Sequence, residues 1–69
     1  MPNEESNPLH HTGRMKQRLR DTVVHMRSDI DKVEDLQFKA MFETASEVLN
    51  GLIKAFDDYE SKNEAAWKR

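Results

Sequence analysis

Seven apolar residues in the second half of the 69-residue chain follow one another at alternating spacings of four and three positions. They are Phe38, Phe42, Ala45, Leu49, Leu52, Phe56 and Tyr59. This is the a/d pattern of a heptad repeat, which turns one side of an α-helix towards a partner helix. The pattern predicts a long amphipathic helix over about residues 36–62 and limits the fold to one built by helix packing.

A second apolar series precedes this helix. Met15, Leu19, Val23, Met26, Ile30 and Val33 recur at helical spacing and predict a first helix over about residues 13–33, with Thr12 as its N-cap. The apolar stripe changes register after Val33, and Asp35 is a suitable N-cap for a second helix. The sequence therefore predicts an antiparallel two-helix hairpin, with a single bent helix as the alternative.

The sequence makes separate predictions for the two ends of the chain and for the middle of the second helix. Residues 1–11 contain both prolines and few apolar side chains, so they are predicted to form a disordered tail ahead of a helical hairpin over 12–69. The end of the chain is predicted to fray beyond about residue 62. Asn50-Gly51 is a turn signal, but the heptad phase continues through it. One continuous helix is therefore predicted, with a break at Gly51, and so three helices, as the alternative.

The composition fits an all-α protein and excludes several kinds of site. The chain has two glycines, two prolines and no cysteine, which excludes disulfides and thiolate metal sites. The first residues lack the charged and apolar regions of a secretory signal, and no apolar run approaches the roughly 20 residues of a membrane span. We expect a cytoplasmic protein without a membrane partner.

The second helix has more apolar surface than the first helix can cover, and a chain this short has a marginal core. The simplest solution is a homodimer in which two hairpins form a four-helix bundle. Docking of another protein is the alternative. The predicted dimer or partner interface comprises Phe38, Met41, Phe42, Ala45, Val48, Leu49, Leu52, Ile53, Phe56 and Tyr59.

The sequence contains no catalytic triad, phosphate-binding loop or nucleotide-binding motif, so we expect a small non-enzymatic interaction or regulatory protein without a cofactor. The alternative is RNA or DNA binding through the basic run RMKQRLR, whose cations are Arg14, Lys16, Arg18 and Arg20. With this basic first helix, the predicted architecture resembles that of the Rop family of plasmid-copy-number RNA-binding proteins. Members of that family are dimers of two-helix hairpins that grip RNA through their first helices. The resemblance is one of shape and transfers no functional residue.

A metal-binding bundle is the third hypothesis. Asp21, His25 and Asp29 follow one another at four-residue spacing and so lie along one row of a helix, where they are weak candidates for metal ligands. A di-iron bundle would need a Glu-x-x-His motif on its helices, and the sequence has none. We therefore predict no metal site and expect this row to be an ordinary solvent-facing set of charges.

Overall fold

The computed structural model describes the backbone of residues 4–67 and the side chains of residues 5–62. A short 3-10 helix, Glu4–Ser6, leads into two long helices, α1 (Pro8–Lys32) and α2 (Leu36–Trp67). The start of α1 contacts the end of α2 through Lys16 and Glu60, so the two helices run antiparallel. The predicted all-α helical hairpin is confirmed, and the described residues contain no strand.

Helix α1 begins before the predicted Thr12 cap. Asn7 has an extended backbone, and its side-chain Oδ1 accepts a hydrogen bond from the Leu9 amide at 3.0 Å. Pro8 occupies the first turn, where its missing N–H costs no hydrogen bond. The described part of the predicted tail, residues 4–11, is therefore helical apart from the cap, because Asn-Pro is itself a helix-start signal. Thr12 lies inside the helix instead, with its Oγ1 3.2 Å from the Leu9 carbonyl oxygen.

The turn between the helices is three residues long. Val33 has an extended backbone that ends α1. Asp35 caps α2, since its Oδ1 accepts hydrogen bonds from the amides of Gln37 at 2.9 Å and Phe38 at 3.0 Å. These two amides are among the helix-start donors that have no partner inside the helix. The chain therefore forms two separate helices at this point rather than one bent helix.

Helix α2 passes without interruption through Asn50 and Gly51 and continues to Trp67, beyond position 62. Residues 1–3 and 68–69 of the predicted tail and frayed end lie outside the described range. Gly51 has a negative φ, and a Cβ atom at this position would meet nothing within 4 Å. Gly51 therefore serves neither as a helix cap nor as a point of close contact with α1. In the described residues, no helix has the length and apolar character needed to cross a membrane.

The core between the helices is thin. Among the residues with described side chains, only Val23 and Ile53 are buried apolar residues, at 8% and 9% exposed. Ser46 is fully buried, and its hydroxyl donates a hydrogen bond to the Phe42 carbonyl oxygen at 2.8 Å. A small residue at this point lets α1 come close to the middle of α2. The hairpin measures 52 × 21 × 12 Å, so it is a flat slab with two broad faces.

Candidate interaction surfaces

The ten residues of the predicted interface do not share one face of α2. Phe38, Phe42, Leu49, Ile53 and Phe56 are buried or half-buried along the line that packs on α1. Met41, Val48, Leu52 and Tyr59 are 44–59% exposed, and Ala45 lies at the boundary. The hairpin therefore uses half of the predicted interface internally and leaves the other half uncovered.

Together with Ala45, the uncovered residues of α2 form a heptad series of their own. Met41, Ala45, Val48, Leu52, Ala55 and Tyr59 recur at spacings of four and three, and we call them the outer stripe. At 1.5 Å per residue the outer stripe is about 27 Å long. A continuous apolar row of this length is the pattern of a surface that packs against another helix. Ala55 is the one member absent from the predicted interface, although its spacing from Leu52 and Tyr59 identifies it.

The outer stripe lies on one broad face of the hairpin. The other broad face carries charged residues, because Lys16 of α1 contacts Asp57 of α2 on that side, and the charges of Arg20 and Lys54 also act on Asp57. The helical period of about 100° per residue places Met15 on the opposite flank of α1, next to the outer stripe, and Val33 follows on that flank as the C-cap residue directly after Lys32. We call the outer stripe together with Met15 and Val33 the apolar face.

A polar cluster connects α1 and α2 at the open end of the hairpin, away from the turn. Lys16 Nζ donates hydrogen bonds to Asp57 Oδ1 at 2.7 Å and Glu60 Oε1 at 2.6 Å, and the Lys16 side chain is only 14% exposed. Thr12 Oγ1 donates to Glu60 Oε2 at 2.6 Å. The bonds to Asp57 and Glu60 raise the pKa of Lys16, and the same bonds lower the pKa of each carboxyl. The sequence places a basic run at the start of α1 and the acidic residues Asp57, Asp58 and Glu60 towards the end of α2. In an antiparallel hairpin these charges predict an attraction between the two helix ends, but they do not predict the part that Thr12 plays.

The four cations proposed for nucleic-acid contact are divided by the fold. Lys16 is engaged in the polar cluster, while Arg14, Arg18 and Arg20 are exposed. Arg14 and Arg18 line an open depression of about 270 Å³ together with His11 and Met15. His11 Nε2 lies 2.6 Å from the Glu5 carbonyl oxygen, which holds the imidazole at the edge of the depression. The depression is therefore a cationic surface with one apolar side chain in it.

The weak metal candidates make separate contacts along α1. His25 Nε2 lies 3.4 Å from Asp29 Oδ2, whereas Asp21 Oδ1 accepts a hydrogen bond from Gln17 Nε2 at 2.9 Å. The structure thus pairs His25 with only one of the two carboxylates. Over the described part of the chain, no three side chains of the metal-binding types converge on a common point.

Comparisons of the chain with protein-family models, with curated proteins and with solved structures gave no match.

Proposed function

We propose that this protein is a non-enzymatic interaction protein that acts by presenting helix surfaces, and that the apolar face is its main contact surface. The observation that carries the proposal is the outer stripe, an unbroken heptad series on the side of α2 that does not pack on α1. Apolar side chains at such spacing gain free energy when a second helical surface removes them from water.

The thin core of the hairpin supports the same proposal. A chain of about 70 residues buries a smaller share of its surface than a larger domain does, and chains of this size commonly need a disulfide, a metal or oligomerisation. This chain has no cysteine, and its described residues bury only Val23 and Ile53 among their apolar side chains. The partner that we propose is a second hairpin, so that the assembly is a homodimeric four-helix bundle of the kind expected from the sequence.

Two valines make a matched test of this proposal. Val48 of the outer stripe is 59% exposed, and Val24 of α1, outside the apolar face, is 69% exposed. Neither belongs to the core, so replacing either with glutamate leaves the hairpin contacts intact. Sedimentation equilibrium at micromolar concentration is expected to give a dimer for the wild type and Val24→Glu and a monomer for Val48→Glu. A compact, cooperatively unfolding wild-type monomer would contradict the proposal.

Nucleic-acid binding is the second candidate function, and the depression lined by Arg14 and Arg18 favours it. Two exposed guanidinium groups one helical turn apart can contact successive phosphates. A gel-shift assay with total cellular RNA is expected to show binding that weakens steeply with salt and is reduced by the double change Arg14→Ala and Arg18→Ala. Lys16→Ala is expected to change binding less, because Lys16 already bonds Asp57 and Glu60. Absence of RNA binding by the wild type would remove this candidate.

A further inference from the structure

We propose that two copies of this chain pack through their apolar faces in one specific arrangement, with α2 on α2 and α1 on α1, each pair antiparallel. The two-fold axis of this dimer crosses α2 near residue 50. The inference rests on the self-association proposed above and specifies its geometry. Two independent observations, one on each helix, give the same position for the axis.

The outer stripe is symmetric about residue 50. Val48 and Leu52 lie two positions from it, Ala45 and Ala55 five positions, and Met41 and Tyr59 nine positions. A two-fold axis at this point, with the two α2 helices antiparallel, places Val48 against the partner's Leu52. It also pairs each small Ala45 with the partner's Ala55. Large side chains therefore meet large ones and small meet small, which lets two helices pack evenly along the stripe.

On α1, the residues of the apolar face and its edge are also arranged symmetrically about one point. Met15 and Val33 are equally distant from residue 24, and the midpoint of Arg18 and Asp29 lies between residues 23 and 24. Inside the hairpin, Lys16 contacts Asp57 and Glu60, and the Ser46 hydroxyl lies 4.0 Å from Met26 Sδ. These contacts place residues 23 and 24 opposite residue 50. One axis therefore serves both helices.

The same axis brings opposite charges together at the edge of the apolar face. Arg18 of each chain lies opposite the partner's Asp29, so the dimer forms this ion pair twice. Within the described residues, Arg18 has no ion pair, and Asp29 has one ion pair, with His25 at 3.4 Å. Charge pairs at an interface edge select one arrangement over others.

The other face-to-face arrangement has both turns at the same end and places α2 on the partner's α1. It would put the Asp29 carboxylate against Ala45 of the outer stripe and would leave Arg18 beside apolar residues. Unpaired charges against an apolar surface are costly. The outline of the broad face, 52 × 21 Å, leaves room for the roughly 800 Å² of accessible surface that each partner buries in a stable specific interface. The like-on-like dimer therefore has both the area and the charge pairing that a second copy requires.

Cysteine cross-linking tests the arrangement, since the natural chain has no cysteine that would interfere. Two single variants, Ala45→Cys and Ala55→Cys, are prepared, mixed, oxidised mildly and separated by non-reducing electrophoresis. The mixture is expected to give a disulfide-linked dimer and each variant alone to stay unlinked. In the proposed dimer, the cysteine at position 45 of one chain and that of its partner would lie about 15 Å apart along the helix axis, too far for a disulfide.

The alternatives give different patterns in the same assay. Linking by Ala45→Cys alone indicates a parallel α2 pair, and linking between Met15→Cys and Tyr59→Cys indicates α2 on the partner's α1. Either result, or a dimer by sedimentation without any link between positions 45 and 55, would overturn the inference while leaving self-association intact. A wild-type monomer would overturn the proposed self-association, and this inference with it.

A charge exchange tests the ion pair separately. Arg18→Asp is expected to weaken the dimer about tenfold, because two attractive contacts become repulsive. Adding Asp29→Arg to the same chain should restore most of the affinity. Arg27→Asp is the control, because it makes the same change in net charge on the other, charged broad face of the hairpin, where the helical period of α1 places Arg27. Equal weakening by Arg18→Asp and Arg27→Asp, or no recovery in the double variant, would contradict the Arg18–Asp29 contact.

Discussion

Lys16 Nζ lies 2.6 Å from Glu60 Oε1, and this contact ties the beginning of α1 to the far end of α2. The second carboxylate oxygen of Glu60 accepts the Thr12 hydroxyl, and Asp57 accepts a further hydrogen bond from Lys16. A hairpin that is joined by a turn at one end needs such contacts at the other end, where helices otherwise separate most easily. The cluster therefore fixes the side of α2 that faces α1.

The first prediction concerns this cluster. Lys16→Gln is expected to lower the melting temperature, because it leaves two neighbouring carboxylates without their shared cation. Lys54→Gln is the matched control, since Lys54 is 77% exposed and, among the residues with described side chains, bonds only Asp58, at 3.3 Å on the same helix. Thermal unfolding followed by circular dichroism should show a clearly larger decrease for Lys16→Gln. Equal decreases would mean that the Lys16 contacts contribute no more than an ordinary surface ion pair.

The second prediction is the pH dependence of stability. The Lys16 ammonium lowers the pKa of Asp57 and Glu60, so their contribution is complete above about pH 5 and is lost as the pH falls through the lowered values. The raised pKa of Lys16 keeps its own contribution up to about pH 10, and it is lost as the pH rises further. Melting temperatures between pH 5 and pH 2.5 should decrease less in Lys16→Gln than in the wild type. If the decrease in melting temperature between pH 5 and pH 2.5 is the same in Lys16→Gln as in the wild type, the acid sensitivity comes from other carboxyl groups.

The third prediction concerns the cap of α2. Asp35→Ala removes the acceptor of the Gln37 and Phe38 amides and is expected to destabilise the protein by about 1 kcal/mol. Asp35→Asn keeps an acceptor oxygen and should cost much less. Chemical unfolding with urea measures both. If Asp35→Asn costs as much as Asp35→Ala, the carboxylate charge rather than the cap would be the important feature.

The sequence predicts the hairpin because the spacing of the apolar residues shows that each segment is a helix with one buried side. It does not resolve which of two adjacent stripes packs inside: Leu52 belongs to the predicted seam, yet Leu52 is 44% exposed and its neighbour Ile53 is 9% exposed. Leu49 also belongs to the seam, and on the helix surface it has an apolar neighbour on each side, Leu52 on one and Ile53 on the other. The choice depends on where α1 lies, which the fully buried Ser46 helps to set. Nothing in the apolar pattern of α2 identifies a serine as a fully buried residue between the helices.

Contacts between distant residues were predicted in part. Opposite charges at the two helix ends predicted that α1 and α2 attract there, and the Lys16 contacts with Asp57 and Glu60 agree with it. The choice of Lys16 from four neighbouring cations depends on helix rotation, which a list of charges does not contain. The sequence predicts a start of α1 near residue 13 rather than at Pro8, because the polar composition of residues 1–11 favours a tail while the Asn-Pro pair favours a helix start.

The last prediction uses the two glycines of the chain. Gly13 and Gly51 are both helical, and a Cβ atom at either would meet nothing within 4 Å in the hairpin. Replacing glycine by alanine inside a helix gains about 0.5–1 kcal/mol, so Gly13→Ala should raise the melting temperature by several degrees. Gly51 borders the outer stripe beside the proposed two-fold axis, where a methyl group would oppose the close approach of the partner's α2. Gly51→Ala is therefore expected to gain less than Gly13→Ala.

A monomeric background separates the two effects. In chains that also carry Val48→Glu, no partner helix is present, and both glycine substitutions are expected to give equal gains. Melting temperatures of the four variants, taken at one chain concentration, provide the comparison. Equal gains in the dimer as well would show that nothing approaches Gly51 closely and would place the contact elsewhere on α2. A smaller gain at Gly51 in both backgrounds would trace the difference to α2 itself, because no partner helix is present in one of them.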